Sequence, residues 1–346
     1  MMLAGVLLLA LGVQVAPKPT VAVPAVDGVI DALRAHQLVA ITDPHGSVAL
    51  RDFLRLVFSD PRFADVTNDI VLEVGNARYQ PLVDDYANGG AVDEAALSQA
   101  WQNTTVPNQI SADVEWFRII RRINATRPAA RRVRILLGDP PIDWTTVRTR
   151  DDHAKWLAQR DSFPAALIQT EVLAKGRRAL IVYGHLHFQR RNIATNFEMG
   201  DWRTETIVSL IERAGPTRVF TIWSLDQPLL AVLPEASAWP KPALARTDGT
   251  TLGAIDVGRL TTFPPRARIV NGRIEPLPRE QYATLPIEQQ LDAVLYLGAP
   301  PSAPIAPSAE PCRQPEFLEE RLRRIAVTGI PKSEAEAIQK LCGAVQ

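Results

Sequence analysis

Cysteine is almost missing from this chain: 346 residues contain two, Cys312 and Cys342, both near the carboxyl end. A cysteine-rich metal site is therefore excluded, and the open choice is between one disulfide closing the tail and two unrelated thiols. Net charge is missing as well, because 38 basic residues balance 38 acidic ones. That leaves no electrostatic attraction for nucleic acid as a partner. Long apolar runs are also lacking. The stretch Met1 to Val13 is too short for a helix to cross a bilayer, which takes about 20 residues. Several familiar motifs do not occur: no Gly-x-Ser-x-Gly elbow, no Gly-x-x-x-x-Gly-Lys loop, no Gly-x-Gly-x-x-Gly turn and no His-Glu-x-x-His helix. A covalent serine esterase and a nucleotide-dependent enzyme are thus disfavoured, and any hydrolysis would use water as nucleophile.

What is present describes a globular protein with 46% hydrophobic residues and a length suited to one elaborated α/β domain. The apolar run followed by Pro17-Lys18-Pro19 reads as a secretory leader over residues 1–25, which predicts an exported protein with no stable membrane span once the leader is removed. Residues 26–299 form the expected single domain. Pro300 to Pro307 open a stiff linker reaching residue 315, and residues 316–346 form a small helical tail.

Six short apolar runs read as buried parallel strands: Leu38 to Asp43, Asp69 to Val74, Val133 to Asp139, Ala179 to Gly184, Arg218 to Ser224 and Asp292 to Gly298. Between them lie one-sided helical stripes, at Leu50, Phe53, Leu54 and Val57, at Trp116, Ile119, Ile120 and Ile123, and at Ile207, Leu210, Ile211 and Ala214. The last stripe ends at Gly215-Pro216, where a glycine free to take positive φ precedes a residue that cannot continue the helix. The alternation predicts a mainly parallel sheet with helices on both faces. Two stretches exceed the repeat, Gln80 to Ala112 and Asp226 to Gln290. They are expected as long insertions shaping a substrate site at the carboxyl ends of the strands.

Chemistry gathers at those strand ends. Asp43 and His45 follow the first strand, Glu73 ends the second, Asp139 ends the third, and His185 and His187 follow the fourth. In an open parallel sheet these positions line one crevice, so residues far apart in sequence should converge. Asp139-Pro140-Pro141 would serve equally well as a turn. Glu73 is the most telling, since a carboxylate ending an apolar strand is costly unless paired.

From Leu38 to about Gly298 the order of these motifs resembles the erythromycin esterase superfamily, which includes haem-binding iron-uptake proteins. The resemblance rests on Asp43 with His45-Gly46, Glu73, Asp84-Asp85-Tyr86, Arg121 to Asn124, Gly138-Asp139 and His185 to His187. It departs at Asp43, where the family usually has Glu, and at Gly184-His185-Leu186-His187, where the esterases usually read Ala-His-Asn-x-His. The resemblance implies hydrolysis of an ester or related bond in a small molecule, with His45 as general base toward water, Glu73 as its partner or a second ligand, and Asp43 assisting. His185 or His187 would protonate the leaving group or stabilise the oxyanion. Asp139, Arg78, Tyr79 and Arg190 are candidate binding groups. His45→Ala and Glu73→Gln are expected to abolish turnover with the fold intact.

Two other readings remain. Asp43-Pro44-His45, Gly138-Asp139 and Gly184-His185-Leu186-His187 are similar to metallophosphoesterase motifs, in which Asp43, His45, Glu73 and His187 would hold a divalent transition metal. Their order along the chain differs from that family's. A non-catalytic exported protein could instead bind a ligand such as haem, with His187 and Tyr79 as the first iron ligands to test.

Overall fold

The computed structural model describes residues 16–107, 113–190, 205–225, 227–259, 267–270, 273–276, 285–298 and 309–344. The apolar run at the amino terminus and the first part of the proline linker lie outside them. Among the described residues, ten strands run in chain order: β1 (Ala22–Pro24), β2 (Leu38–Thr42), β3 (Asp69–Asn76), β4 (Arg134–Asp139), β5 (Ala179–Tyr183), β6 (Val219–Ser224), β7 (Ala243–Arg246), β8 (Ala267–Val270), β9 (Arg273–Pro276) and β10 (Ala293–Tyr296). Eight of them form one sheet in the order β1-β7-β10-β6-β2-β5-β3-β4, while β8 and β9 pair as a separate hairpin. The six strands anticipated from the sequence are all there, and all run parallel.

Their apolar character follows from burial on both faces. Val39 and Ile41 of β2, with Leu180 and Val182 of β5, point into one core layer. The alternate residues Leu38, Ala40, Ala179 and Ile181 point into the other. Period-two alternation with both sides covered gives continuous apolar runs rather than alternating ones. The helices Val48–Ser59 and Val114–Ala125 supply the first layer, and Ser162–Ile168 and Ile207–Ala214 the second.

Two differences from the sequence reading have local causes. Part of the second long insertion joins the sheet instead of shaping its carboxyl end: β7 pairs antiparallel with both β10 and β1. Its four residues, Ala-Leu-Ala-Arg, are too short and too alanine-rich to signal a strand. The helix Ile207–Ala214 does end at Gly215, but that glycine is extended at φ −171° and not left-handed.

The two ends of the sheet differ in chemistry. At the amino end, Asp69 of β3 is fully buried and ion-paired to Arg134 and Arg177, each at 2.7 Å. Asp292, just before β10, is paired to Arg190 at 2.6 Å and Arg218 at 2.8 Å. These pairs pin strand starts. The carboxyl end carries histidines and carboxylates around a cavity.

Past β4 and beside that end docks the tail, two helices at Pro315–Thr328 and Lys332–Gly343. Cys312 and Cys342 form a disulfide, with Cα atoms 5.1 Å apart, which settles the choice left open by the sequence. No helix among the described residues is long and apolar enough to cross a membrane.

Candidate functional site

Strand order explains where the site lies. From β2 the chain moves to β3 and β4 on one side, returns to insert β5 beside β2, and then crosses to β6 on the other side. Loops leaving β2 and β5 therefore part in opposite directions and open a crevice at their carboxyl ends. A cavity of about 240 Å³ sits there, lined by Asp43, His45, Glu73, Arg160, His187 and Trp223 among others. It is at or below the small end of ligand sites, about 300–1,000 Å³.

His45 is aimed by its backbone. It is the one described non-glycine residue with positive φ, at 56°, and Gly46 follows at 73°. Two left-handed residues turn the chain sharply before Ser47, whose hydroxyl accepts from the Leu50 amide and starts the next helix. A histidine there costs conformational energy, and such outliers collect at functional sites. Asp43 reinforces the turn by accepting the His45 amide at 2.8 Å. The imidazole then stands between two carboxylates, Nδ1 3.6 Å from Asp43 and Nε2 3.9 Å from Glu73. Its side chain is 60% exposed. The Asp43 carboxylate holds its pKa above the ordinary histidine value, against partial burial and with help from Glu73.

Glu73 is the hub. One carboxylate oxygen receives the Arg160 guanidinium and faces His187 Nε2 at 3.5 Å. The other accepts the Gly184 amide at 2.6 Å. Burial opposes ionisation here, but the hydrogen bond to His187 and the charges of His187, Arg160 and His45 outweigh it and hold the carboxyl well below its usual range. Gly184 also makes room: a Cβ on it would lie 3.0 Å from His45 Nε2 and 3.4 Å from Glu73 Oε2.

His187 is buried, its Nδ1 2.8 Å from Asp161 and its Nε2 facing Glu73. Burial disfavours its charge, yet the Asp161 hydrogen bond and Glu73 prevail and raise its pKa to about 9. A pKa there favours the imidazolium at neutral pH, with Nδ1 donating to Asp161 and Nε2 held beside the Glu73 charge. Asp43, His45, Glu73, His187 and Asp161 thus alternate carboxylate and imidazole in one row. His185 also lines the cavity, edge-on to Trp223 with ring centroids 6.2 Å apart.

Arg160 and Asp161 were not found by sequence reasoning. They lie between the helices Arg150–Leu157 and Ser162–Ile168, far from any strand end, and a surface-like Gln-Arg-Asp-Ser connection gives no signal. Asp139 is close behind the cavity. Its carboxylate accepts the Thr105 amide at 2.7 Å and the Thr105 hydroxyl at 2.6 Å, and Arg160 Nε lies 4.0 Å away. Burial pushes its pKa up to about 7, held back by the Thr105 bonds and Arg160.

Three expected binding residues are not brought to the cavity. Arg78 pairs with Asp143 at 3.0 Å, and the Tyr79 hydroxyl accepts from Asn103 at 2.9 Å. Arg190 is spent at the opposite end of the sheet, on Asp292, Glu212 and the Val219 carbonyl. Arg121 and Asn124 hold backbone: Arg121 donates to the Tyr86, Gly89 and Gly90 carbonyls, Asn124 to Ala87 and Val133.

The donor set does not fit a metal. Among the described residues, no three His, Cys, Asp or Glu side chains are grouped to hold one. The physical reason is Arg160, whose cation takes the Glu73 oxygen that a metal would need. The pair His187 and Tyr79 does not fit haem iron either, since Asp161 and Glu73 engage both His187 nitrogens and Tyr79 is outside the cavity.

No protein-family model and no curated protein matches the sequence. Solved structures with a similar arrangement include the type III effector HopBA1, with 12% identity and a TM-score of 0.37 over 63% of this chain and 88% of its own. Another is ChaN of Campylobacter jejuni, described with cofacial haem binding, with 12% identity and a TM-score of 0.34 over 58% of this chain and 86% of its own. A Bacillus cereus protein has 9% identity and a TM-score of 0.37 over 79% of this chain and 97% of its own. At such low scores these neighbours carry no argument about the chemistry of the site.

Proposed function

We propose that the chain is a hydrolase acting on an ester or related bond of a small molecule, with the overall plan of the erythromycin esterase superfamily. The observation that carries this reading is the alternating row Asp43, His45, Glu73, His187, Asp161, whose first four members line a cavity and whose last backs His187.

His45 is the general base. Its exposed ring is oriented by Asp43 on one nitrogen, and the other faces the cavity beside Glu73, where it can take a proton from water. Apo distances of this kind tighten when a substrate is bound. His187, already an imidazolium, supplies the positive charge and the proton for the developing oxyanion and leaving group, and Arg160 adds a second positive charge. Glu73 keeps both cations in place. We further propose that residues 26–299, together with the edge strand β1 at Ala22–Pro24, act as one unit, and that the protein is exported, a reading supported by the disulfide and the apolar run Met1 to Val13.

The test is hydrolysis of a panel of activated esters by the purified protein with and without chelator. His45→Ala should lower turnover at least about 100-fold, the usual scale for a lost general base. Because His45 is exposed, the melting temperature should stay unchanged. Turnover should survive chelation. Glu73→Gln should also abolish turnover, but the structure revises the expectation of an intact fold. Removing this charge strands Arg160 and His187, at a cost of about 3–5 kcal/mol typical of a broken buried pair. Full activity in His45→Ala would sink the assignment.

A further inference from the structure

Between the helix Gln99–Gln102 and residue 107 the chain has no regular structure, yet it is held by its carbonyls. The Asn103 carbonyl accepts from Asn76 at 2.6 Å, Thr104 from the Trp144 indole at 2.9 Å, and Thr105 pairs with the His153 ring at 2.8 Å. The remaining grips come from the tail. Arg324 donates to the Gln102 carbonyl at 3.2 Å and the Asn103 side chain at 2.8 Å, and Arg321 donates to the Pro107 carbonyl at 3.0 Å. Arg323 holds the neighbouring loop through the Trp144 and Val147 carbonyls, at 2.8 and 2.9 Å.

Arg321 and Arg324 are 2% and 6% exposed. Arg324 also pairs with Glu320 at 2.6 Å within its own helix, and Arg321 lies over the Phe317 ring. Burying guanidinium groups is expensive unless each finds acceptors, and these find theirs in the carbonyls of residues 102–107, so the tail is fitted to this one segment and would not dock on a generic apolar face. The segment it grips carries Thr105, the residue that holds Asp139 with two hydrogen bonds behind Arg160.

We propose that the C-terminal helical pair is a positioning element for the site, acting through Thr105 on Asp139 and Arg160, and that the Cys312–Cys342 disulfide makes this action sensitive to thiols. The tail's own core is small, built around Phe317, Ile325 and Ile338 with the two cysteines. A dithiol would reduce the bond by exchange: one of its thiolates attacks a sulfur, its second closes its own disulfide, and two electrons and two protons pass to Cys312 and Cys342. With the bond open, the grip of Arg321 and Arg324 loosens. The proposal does not require that the site hydrolyses esters, because its readouts are geometric.

The experiment compares the full chain, oxidised and after dithiothreitol, with the Cys312→Ser/Cys342→Ser variant, by hydrogen exchange and amide NMR. Reduction should raise exchange at least 10-fold over residues 102–107 and in the tail, and leave β2 and β5 protected. The double variant should reproduce this state and ignore dithiothreitol. The Thr105 amide shift, which follows the ionisation of Asp139, gives a readout that simple loosening would not. Facing Asp139 besides Thr105 are Arg160, Glu73 and the Tyr183 phenol. Weakening the Thr105 bonds should move the Asp139 midpoint upward on reduction, in Arg324→Met, and in Thr105→Val, which removes the hydroxyl bond alone and leaves the tail untouched. Unchanged exchange over 102–107 after reduction, or an Asp139 midpoint indifferent to both the tail and Thr105, overturns the proposal.

Discussion

His187 shows how neighbours decide what a side chain can do. Its charge is maintained by Asp161 and Glu73 against burial, so Asp161→Asn should return its pKa from about 9 toward the ordinary 6.5. Imidazole NMR would show this directly. A raised folded pKa adds stability that is complete below the unfolded value and is lost as pH rises through the folded one. The wild type should therefore lose on the order of 3 kcal/mol between about pH 6.5 and 9, and Asp161→Asn should show little of that slope. Gly184 and Gly138 make a second contrast. Gly184→Ala brings a Cβ against the His45 ring without backbone strain, so turnover should fall at least about 10-fold with melting little changed. Gly138→Ala would place a Cβ 1.7 Å from the buried Tyr183 hydroxyl, and denaturant unfolding should report about 1–3 kcal/mol of lost stability.

At the scale of elements, the disulfide closes a loop with a sequence separation of 30. The Cys312→Ser/Cys342→Ser variant should weaken the tail by about 3–4 kcal/mol, seen as an early transition in calorimetry ahead of the unchanged sheet. How far these elements were legible depends on burial. Strands covered on both faces, such as β2 and β5, advertise themselves as unbroken apolar runs, and so the strand-end residues His45, Glu73 and His187 were legible too. Strand β7 is paired on both sides but is short and alanine-rich, so nothing in Ala243 to Arg246 separates it from a loop. Arg160 and Asp161 complete the site from a helix connection, and only tertiary packing reveals them. Arg190 misled because a residue just after His187 is carried by its turn to the other end of the sheet.

For the whole molecule, the decisive feature is that β5 lies between β2 and β3 although it follows both by a long stretch of chain. Strands β2 and β3 have no partner in each other and stay apart until the later strand fills the space between them. Closing such distant parallel pairs is slow, because chain entropy must be lost before contacts reward it. The cavity is bounded by β2, β3, β5 and β6 and so has no early version built from neighbouring segments. In refolding, helical signal should recover before the buried Trp223 reaches its native fluorescence, and activity should return with the slower of the two. On the proposed hydrolase reading the protein thus carries its own timing: a newly made chain stays chemically silent until its architecture is nearly complete.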